Sequence, residues 1–323
     1  MHITDRPGAW VLSFLVMIGG AAVWAQEYPS KPIRIITGDA GGAVDFTARV
    51  IALGITSPIG QQVIVENRGG AGGAIAIGSV ARAAPDGYTV LAYSSAVWIV
   101  PLLQDKVAWD PLTDFSPVTM ADKSPGIVVV HPSLPARTVK ELIALAKARP
   151  GALNYASVGS GSHPHLATQL FNSMAGVHIV HVPYKGTAPG VNDLISGQVQ
   201  MMIAVVSAAV PHVKSGRLRA LAVTSLQPSA LLPGLPTVAE SGLPGYESIQ
   251  MFGIYVPAKT PAGAVAKLNQ EIVRTLHRTD TKEKLLAVGL EVVGDTPEQF
   301  AATIKADMAK MGKVIRDAKI RAD

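Results

Sequence analysis

The chain has 323 residues, with 16% charged and 5% aromatic residues, a formal net charge of +5 and no cysteine. Without cysteine no disulfide framework can form, so a small stapled scaffold is excluded and the fold must depend on a large hydrophobic core. The Lys and Arg residues are scattered and are not interleaved with aromatics, which argues against a nucleic-acid partner. The positive balance favours at most a weak attraction for small anions.

The N-terminal segment, residues 1–25, has the pattern of an export signal. Arg6 lies in a short polar region, an apolar stretch begins at Trp10, and the small residues Val23 and Ala25 precede Gln26. The apolar stretch is shorter than the roughly 20 residues of a membrane span, so a membrane anchor is the less favoured alternative. We therefore predict a periplasmic protein that is exported with cleavage after Ala25.

Short apolar segments alternate with helical patterns along the rest of the chain. Several of these segments are apolar on consecutive residues, as in parallel strands that are buried on both faces. The alternation predicts an α/β fold with mostly parallel sheets. The predicted strands are 33–37, 62–67, 89–94, 127–131, 153–157, 178–184, 199–206 and 218–224, with a strand-like segment at 249–258.

Two turn-rich segments interrupt this alternation, at 109–126 and at 227–248. A chain that leaves one α/β unit near 126 and re-enters it near 252 would cross twice between two lobes. We therefore predict a two-lobed clamp with a hinge. Its predicted domain 1 comprises residues 26–126 plus 252–323, and its predicted domain 2 comprises residues 127–251.

The segment "GDAGGAVDFTAR" (38–49) follows a predicted buried strand and leads into a predicted helix. Its glycines would let backbone N–H groups approach an anion at the helix N-terminus. The spacing matches neither a dinucleotide-binding fingerprint nor a P-loop. A plain tight turn in which Asp45 pairs with Arg49 is the alternative. The candidate ligand-binding residues here are Asp39, Ala40, Gly41, Gly42 and Asp45.

A second stretch, "SVGSGSHPHLATQLF" (157–171), repeats the order of strand, small residues and helix. The candidate ligand-binding residues here are Ser160, Gly161, Ser162 and His165. A hydrolase that uses Ser160 or Ser162 with His163 or His165 is an alternative. Because the nucleophile-elbow motif and a residue to orient the base are both lacking, we expect no catalytic residue and no enzyme activity.

Histidines of this region also raise the question of a metal site. His163 and His165 lie two residues apart at a helix start, and His178 and His181 follow on the next predicted strand. Residues at this spacing do not converge on one metal, and no acidic or cysteine ligand completes the set. We therefore expect neither a metal nor a cofactor.

Two further turns carry candidate ligand-binding residues. Lys185, Gly186 and Thr187 follow a predicted strand, and the lysine could face an anion or could be a solvated surface residue. Ser94, Ser95 and Trp98 follow another strand, where the tryptophan could form a pocket wall or part of the core.

Taken together, the motifs resemble the periplasmic solute-binding receptors of tripartite tricarboxylate transporters, also called Bug receptors. The resemblance runs from residue 28 to the C-terminus. It is carried by "YPSKPIRII" (28–36), "GGAVDFTAR" (41–49), "QQVIVENRGGAGGAIA" (61–76), "APDGYT" (84–89), "DPLTDFSPV" (110–118), "HPSLPARTVKELIALAKARPGALNYAS" (131–157), "HVPYKGTAPGVNDLISGQV" (181–199), "SGRLRALAVTS" (215–225) and "LPTVAESGLPGYE" (235–247).

This resemblance implies a type II-like periplasmic clamp that binds a small organic carboxylate or zwitterion between its lobes. It also implies that loops 37–45 and 158–165 hold the carboxylate, with 185–187 beside the second loop. The distal end of the ligand would meet residues 94–98 and the predicted turn 205–209, which includes Ser207. The implied partners are membrane permease subunits, with a sensor kinase as the alternative, and we expect a monomer.

The sequence departs from the family pattern at two places. The first loop reads "GDA" where many relatives carry prolines and an aromatic, and Val205, Val206 and Ser207 occupy a turn that often carries an Asp in relatives. A carboxylate at Asp39 should repel a second anionic group on the ligand. The sequence therefore predicts a monocarboxylate, a zwitterion or a ligand with a donor group, and not a tricarboxylate.

Overall fold

The structure is a computed structural model that describes residues 1–2, 28–38, 40–70, 73–104 and 106–321. Apart from its first two residues, the predicted export signal lies outside the described residues. Asp39 lies outside them as well. The predictions made for Asp39 and for the cleavage site therefore stay predictions.

The first lobe is built on three parallel strands, β1 (Ile33–Thr37), β2 (Val63–Asn67) and β3 (Thr89–Ser94). Three helices follow them in turn, α1 (Ala43–Ile59), α2 (Ala74–Ala81) and α3 (Ala96–Leu103). Both β1 and β3 are predominantly apolar and buried because helices cover the sheet. The three strands begin and end within one residue of their predicted positions.

Two long strands, β4 (Phe115–Val130) and β9 (Ile249–Pro257), join the first lobe to the second. They are antiparallel, and the pairing runs from Phe115 opposite Pro257 to Pro125 opposite Ile249. The sequence predicted turns over 109–126 and a strand only from 127, which was wrong for the first part of β4. Its prolines misled that interpretation: Pro117 lies at an irregularity of the register and Pro125 at the end of the pairing with β9, where a missing N–H is tolerated.

The second lobe contains β5 (Asn154–Ser157), β6 (Val180–Pro183), β7 (Met201–Val205) and β8 (Arg219–Val223). Its helices are α4 (Val139–Ala148), α5 (His163–Ala175), α6 (Thr187–Ile195) and α7 (Val206–Lys214). The turn predicted at 205–209 is the first turn of α7. Thr138 caps α4 by accepting a hydrogen bond from the Glu141 N–H at 3.2 Å.

The main path of the sheet has the order β2-β1-β3-β9-β4-β7-β5-β6. Its outer pairs are parallel, but the pairs formed by β4 with β7, β8 and β9, and by β3 with β9, are antiparallel. The sheet is therefore mixed and not mostly parallel as predicted, because the two connecting strands run in opposite directions between the lobes. The division into domains at residues 126 and 252 falls inside β4 and β9 and stays a prediction.

The C-terminal part of the chain returns to the first lobe. It forms α8 (Ala262–Leu276), α9 (Thr279–Ala287), the short β10 (Glu291–Val292) and α10 (Pro297–Asp317). A full capping box between Thr296 and Gln299 begins α10. On this helix Met311 packs in a core cluster with α3, whereas Val314 packs in the core of the second lobe. The last helix therefore lies against both lobes and along the cleft between them.

Candidate functional site

A cavity of about 340 Å³ lies between the lobes and is lined by residues of both. This size falls within the range of roughly 300–1,000 Å³ that is typical of small-molecule sites. A second cavity of about 220 Å³ lies beside the first, because Ser94 and Gln250 line both. Together they form the candidate ligand site.

Helix N-termini surround these cavities. In the larger one, α3 contributes Ser95, α5 contributes Ser162, α6 contributes Thr187 and α7 contributes its N-cap residue Val205. In the smaller one, the first turn of α1 contributes residues from Gly42 onward. The first N–H groups of a helix have no partner within the helix and carry a partial positive charge. The backbone of this site is therefore suited to an anion.

The first loop (residues 37–45) is held in place by Asp45. Oδ2 of this buried carboxylate accepts hydrogen bonds from the Gly41 N–H at 2.9 Å and from Arg49 Nε at 3.0 Å. Its Oδ1 accepts from Asn67 Nδ2 at 2.8 Å. Burial alone would raise the pKa of Asp45, but these hydrogen bonds outweigh it and lower the pKa. Asp45 accepts its hydrogen bonds from Gly41, Arg49 and Asn67, and it does not line either cavity.

The second loop (residues 158–165) is held in place by His165. The Gly161 N–H donates a hydrogen bond to Nδ1 of His165 at 2.9 Å, which places the proton of the neutral ring on Nε2. The buried His165 ring stacks on His181, with the ring centroids 4.0 Å apart. His181 stacks in turn on Tyr155 and is hydrogen-bonded to Ser157 Oγ at 2.6 Å. The imidazole is therefore part of the support of the loop.

One wall of the larger cavity is formed by α10, through Asp307 and Lys310. Asp307 Oδ2 accepts a hydrogen bond from Nε1 of the fully buried Trp98 at 2.8 Å. Lys310 Nζ donates to the Glu247 carbonyl oxygen at 3.2 Å and lies 3.7 Å from Asp307 Oδ1. Burial raises the pKa of Asp307, whereas the Trp98 N–H and the Lys310 cation act in the opposite direction. This wall therefore presents one acidic and one basic group.

His163 lines the cavity at the start of α5. Its Nε2 lies 3.3 Å from Ser248 Oγ. Burial of the ring, assisted by the nearby Lys310 cation, lowers the pKa of His163 to about 4 despite the hydrogen bond with Ser248. The ring is neutral at pH 7, so the formal charges among the described lining residues are those of Asp307 and Lys310.

Comparison with known proteins agrees with this architecture. Residues 47–320 match the family model described as "Tripartite tricarboxylate transporter family receptor". The chain belongs to this receptor family. The family resemblance predicted from the sequence motifs is thereby confirmed, and the members compared are binding proteins and not enzymes.

Individual relatives match the chain over nearly its whole length. Protein BugT of Bordetella pertussis is 37% identical over 308 residues, which are 94% of this chain and 94% of BugT. The structure of R. palustris Rpa4515 with adipate is 35% identical, covers 91% of this chain and 99% of that chain, and has a TM-score of 0.77. MatC of Rhodopseudomonas palustris with bound malate is 29% identical, covers 89% of this chain and 100% of that chain, and has a TM-score of 0.72. These matches confirm the predicted two-lobed clamp.

Within the described residues, no helix has both the length and the apolar character that crossing a bilayer requires. The same part of the chain contains no cluster of three or more potential metal ligands.

The structure brings some of the predicted site residues together and leaves others apart. Those that line the larger cavity are Ser94, Ser95, Gly161, Ser162 and Thr187, and Gly42 lines the smaller one. Those that line neither cavity are Ala40, Gly41, Asp45, Trp98, Ser160, His165, Lys185, Gly186 and Ser207. Among these, Trp98 reaches the site indirectly through Asp307, and both Lys185 and Ser207 are exposed.

The hydrogen bonds of Ser162, His163 and His165 differ from those of the serine–histidine pair of a hydrolase. Ser162 Oγ donates to the carbonyl oxygen of Gly159 at 2.7 Å, and His163 contacts Ser248. Nδ1 of His165 accepts the N–H of Gly161. The hydrogen bond of Ser162 Oγ is thus made to a backbone carbonyl, and that of His163 is made to Ser248 and not to Ser162. Neither bond pairs Ser162 with a histidine base, as a hydrolase would require.

Sequence reasoning missed the wall formed by α10. Asp307 and Lys310 lie three residues apart, a spacing that is typical of an exposed helix face, and the sequence predicted no site residue there. Their partners Trp98 and Glu247 lie 209 and 63 residues away in the sequence. No local pattern could have found this wall.

Proposed function

We propose that this receptor captures a small carboxylate-bearing solute in the periplasm and delivers it to the membrane subunits of a tripartite transporter. The observation that carries the proposal is the convergence of four helix N-termini, those of α3, α5, α6 and α7, on one cavity. Partial positive charges from several helices favour one anionic group at their meeting point.

The related structures support a carboxylate as that anion. Rpa4515 carries adipate and MatC carries malate. In our proposal the ligand carboxylate accepts hydrogen bonds from backbone N–H groups at Gly42, His163 and Thr187 and from the hydroxyls of Ser94 and Ser95. The remaining predicted residues of the two loops act by shaping the backbone, as Asp45 and His165 do.

A thermal-shift screen tests the proposed function. The panel contains straight-chain and aromatic monocarboxylates, dicarboxylates including adipate and malate, and the methyl ester of each acid. A ligand that binds only the folded protein should stabilise it by about 2.7 kcal/mol at a hundred times its Kd. We expect at least one acid to raise the Tm and its ester to have no effect. If the esters stabilise the protein as well as the acids do, the carboxylate is not what the site recognises.

Backbone recognition can be tested at Thr187, the first residue of α6, which lines the cavity. Proline is tolerated at the first helical position and removes the N–H. Because a hydrogen bond to a charged group contributes about 1.5–3 kcal/mol, Thr187→Pro should weaken carboxylate binding by roughly tenfold to a hundredfold in calorimetry. Thr187→Val is the matched control, since it removes only the hydroxyl and keeps the N–H. Equal losses in the two variants would contradict recognition by the backbone.

The predicted export completes the proposal. Cleavage after Ala25 places Gln26 at the N-terminus of the mature receptor. The intact mass of the protein recovered from the periplasm of an expressing bacterium measures this directly. A mass that retains residues 1–25 would contradict the predicted cleavage.

A further inference from the structure

Helix α10 contributes one acidic and one basic group to the cavity wall, and each is hydrogen-bonded to a residue that does not line the cavity. Trp98 Nε1 donates to Oδ2 of Asp307 at 2.8 Å, and the Glu247 carbonyl oxygen accepts from Lys310 Nζ at 3.2 Å. The side chain of Asp307 is only 11% exposed. Both the carboxylate of Asp307 and the ammonium group of Lys310 are thus positioned by other protein groups, and both residues line the cavity.

The two remaining polar atoms of this wall stand side by side. Oδ1 of Asp307 and Nζ of Lys310 are 3.7 Å apart, which is too long for a direct hydrogen bond. Lys310 Nζ also lies 3.9 Å from Oε2 of Glu247, so two carboxylates of the described residues face this cation, and of the two Asp307 lines the cavity. Because this ion pair is too wide for a direct hydrogen bond, a ligand group that donates to Oδ1 and accepts from Nζ would add two charge-assisted hydrogen bonds.

The pair distinguishes between four possible ligand ends. A second carboxylate would accept from Lys310 but would be repelled by Asp307, and an ammonium group would be repelled by Lys310. An alkyl end would satisfy neither group and would displace water from both. A carboxamide presents an N–H donor and a carbonyl acceptor side by side, so it can bind both groups at once.

We propose that Asp307 and Lys310 form a specificity subsite for a carboxamide at the end of the ligand opposite its carboxylate. This inference rests on the proposed function, because it takes the helix N-termini as the carboxylate site. It assigns the receptor to ω-amide monocarboxylates, a chemical class that differs from the dicarboxylates carried by Rpa4515 and MatC.

The test is calorimetric titration of the full-length mature receptor with matched ligands. One series is succinamate, succinate, γ-aminobutyrate and butyrate, which share a carbon skeleton and differ in the distal group. The same four distal groups on the glutarate and adipate skeletons cover other lengths. On at least one skeleton we expect the amide to bind about tenfold or more tighter than the other three ligands.

The variant Asp307→Asn should reverse the preference for the ω-amide over the diacid. The amide that replaces the carboxylate would still offer an oxygen to Trp98, and its NH₂ group would donate to the ligand where Asp307 accepts. The diacid should then bind more tightly than the ω-amide. Asp317→Asn is the matched control on the same helix, because Asp317 is 49% exposed and pairs with Lys313. This control should keep the wild-type order of affinities.

The possible results separate the two proposals. If acids bind but the diacid or the amino acid equals or exceeds the amide on every skeleton in the wild type, the subsite proposal is wrong. The same conclusion follows if Asp307→Asn keeps the preference for the amide. If none of these ligands binds and the screen of acids and esters gives no shift, the proposed function itself fails. The wild-type series decides the question even if the variant folds poorly.

Discussion

The two loops that border the cleft share one hydrogen-bond arrangement but differ in the side chain that accepts the hydrogen bond. Gly41 and Gly161 have φ angles of +81° and +76°, each precedes the N-cap of a helix, and each donates its N–H to the side chain four residues later. In the first loop the acceptor is the carboxylate of Asp45, and in the second it is the imidazole of His165. Each lobe thus fixes a glycine turn at a helix N-terminus with one buried acceptor.

The difference lies in what holds the acceptor. Asp45 carries a negative charge that is stabilised by hydrogen bonds from Arg49 and Asn67, which lower the pKa of its carboxyl group. His165 is a ring in a stack with His181, and it can accept only while Nδ1 is unprotonated. The same turn is thus fixed by an ionic network in one lobe and by a packed neutral ring in the other. The two loops should therefore respond differently to mutation and to acid.

The largest expected effect is the removal of the ionic network. Asp45→Ala removes the acceptor of the Gly41 N–H and of Arg49 Nε and one of the two acceptors of the Asn67 amide, so it should cost about 3 kcal/mol of stability. Asp45→Asn keeps an acceptor of similar shape and should cost less. Urea unfolding of both variants measures this difference. If Asp45→Asn left the stability unchanged, the charge of Asp45 would play no part in holding the first loop.

The next effect concerns pH, because burial shifts the pKa of Asp122 in the first lobe and of His163 in the second in opposite directions. Burial raises the pKa of Asp122 to about 7, and its Oδ2 accepts a hydrogen bond from Thr47. The pKa of His163 is lowered to about 4. The contribution of Asp122 to stability is full below about pH 4 and is lost as the pH rises through about 7. The contribution of His163 is full above about pH 6.5 and is lost as the pH falls through about 4.

These opposite slopes partly cancel in the wild type. Asp122→Asn should make the loss of stability between about pH 7 and pH 4 steeper by about 2 kcal/mol, and His163→Gln should make it shallower by a similar amount. Urea unfolding across this range for the wild type and both variants is the measurement. Parallel curves for all three proteins would show that neither group is titrated differently by folding.

The smallest expected effect compares the two glycines directly. An alanine at either position is strained by the positive φ, at about 1 kcal/mol. At Gly161 the added Cβ would lie 2.6 Å from Cδ1 of Leu103, whereas at Gly41 no atom of the described residues lies within 4 Å. We therefore expect Gly161→Ala to cost about 2 kcal/mol and Gly41→Ala about 1 kcal/mol in thermal unfolding. The reverse order would mean that the second loop is the more adaptable of the two.

Those parts of the fold that depend on local pattern were predicted from the sequence. The strands β1 and β3 match their predicted bounds because each is a short, largely apolar run between turn residues. Both glycine loops were located for the same reason, since a strand, small residues and a helix follow one another in the chain. Thr187 and Ser162 were found in this way and line the cavity.

Features that depend on distant contacts were missed. The first part of β4 contains Pro117 and Pro125 and was read as a turn, because the irregular register that accommodates Pro117 involves β9, far along the chain. The role of Asp307 is set by the indole N–H of Trp98, 209 residues away. The pairing of Asp45 with Arg49, offered as the alternative to ligand binding, is present at 3.0 Å. The acceptor roles of Asp45 and His165 towards the two loops were not predicted, since they need the positive φ of Gly41 and Gly161.

The central claim is that helix N-termini from both lobes hold one carboxylate. A crystal structure of the receptor with the tightest acid from the panel tests it most directly. We expect the carboxylate oxygens to lie within hydrogen-bonding distance of the backbone N–H groups of Gly42 in the first lobe and of His163 and Thr187 in the second, with the opposite end of the ligand towards Asp307 and Lys310. A carboxylate bound to Lys310, with no contact to a helix N-terminus, would contradict it.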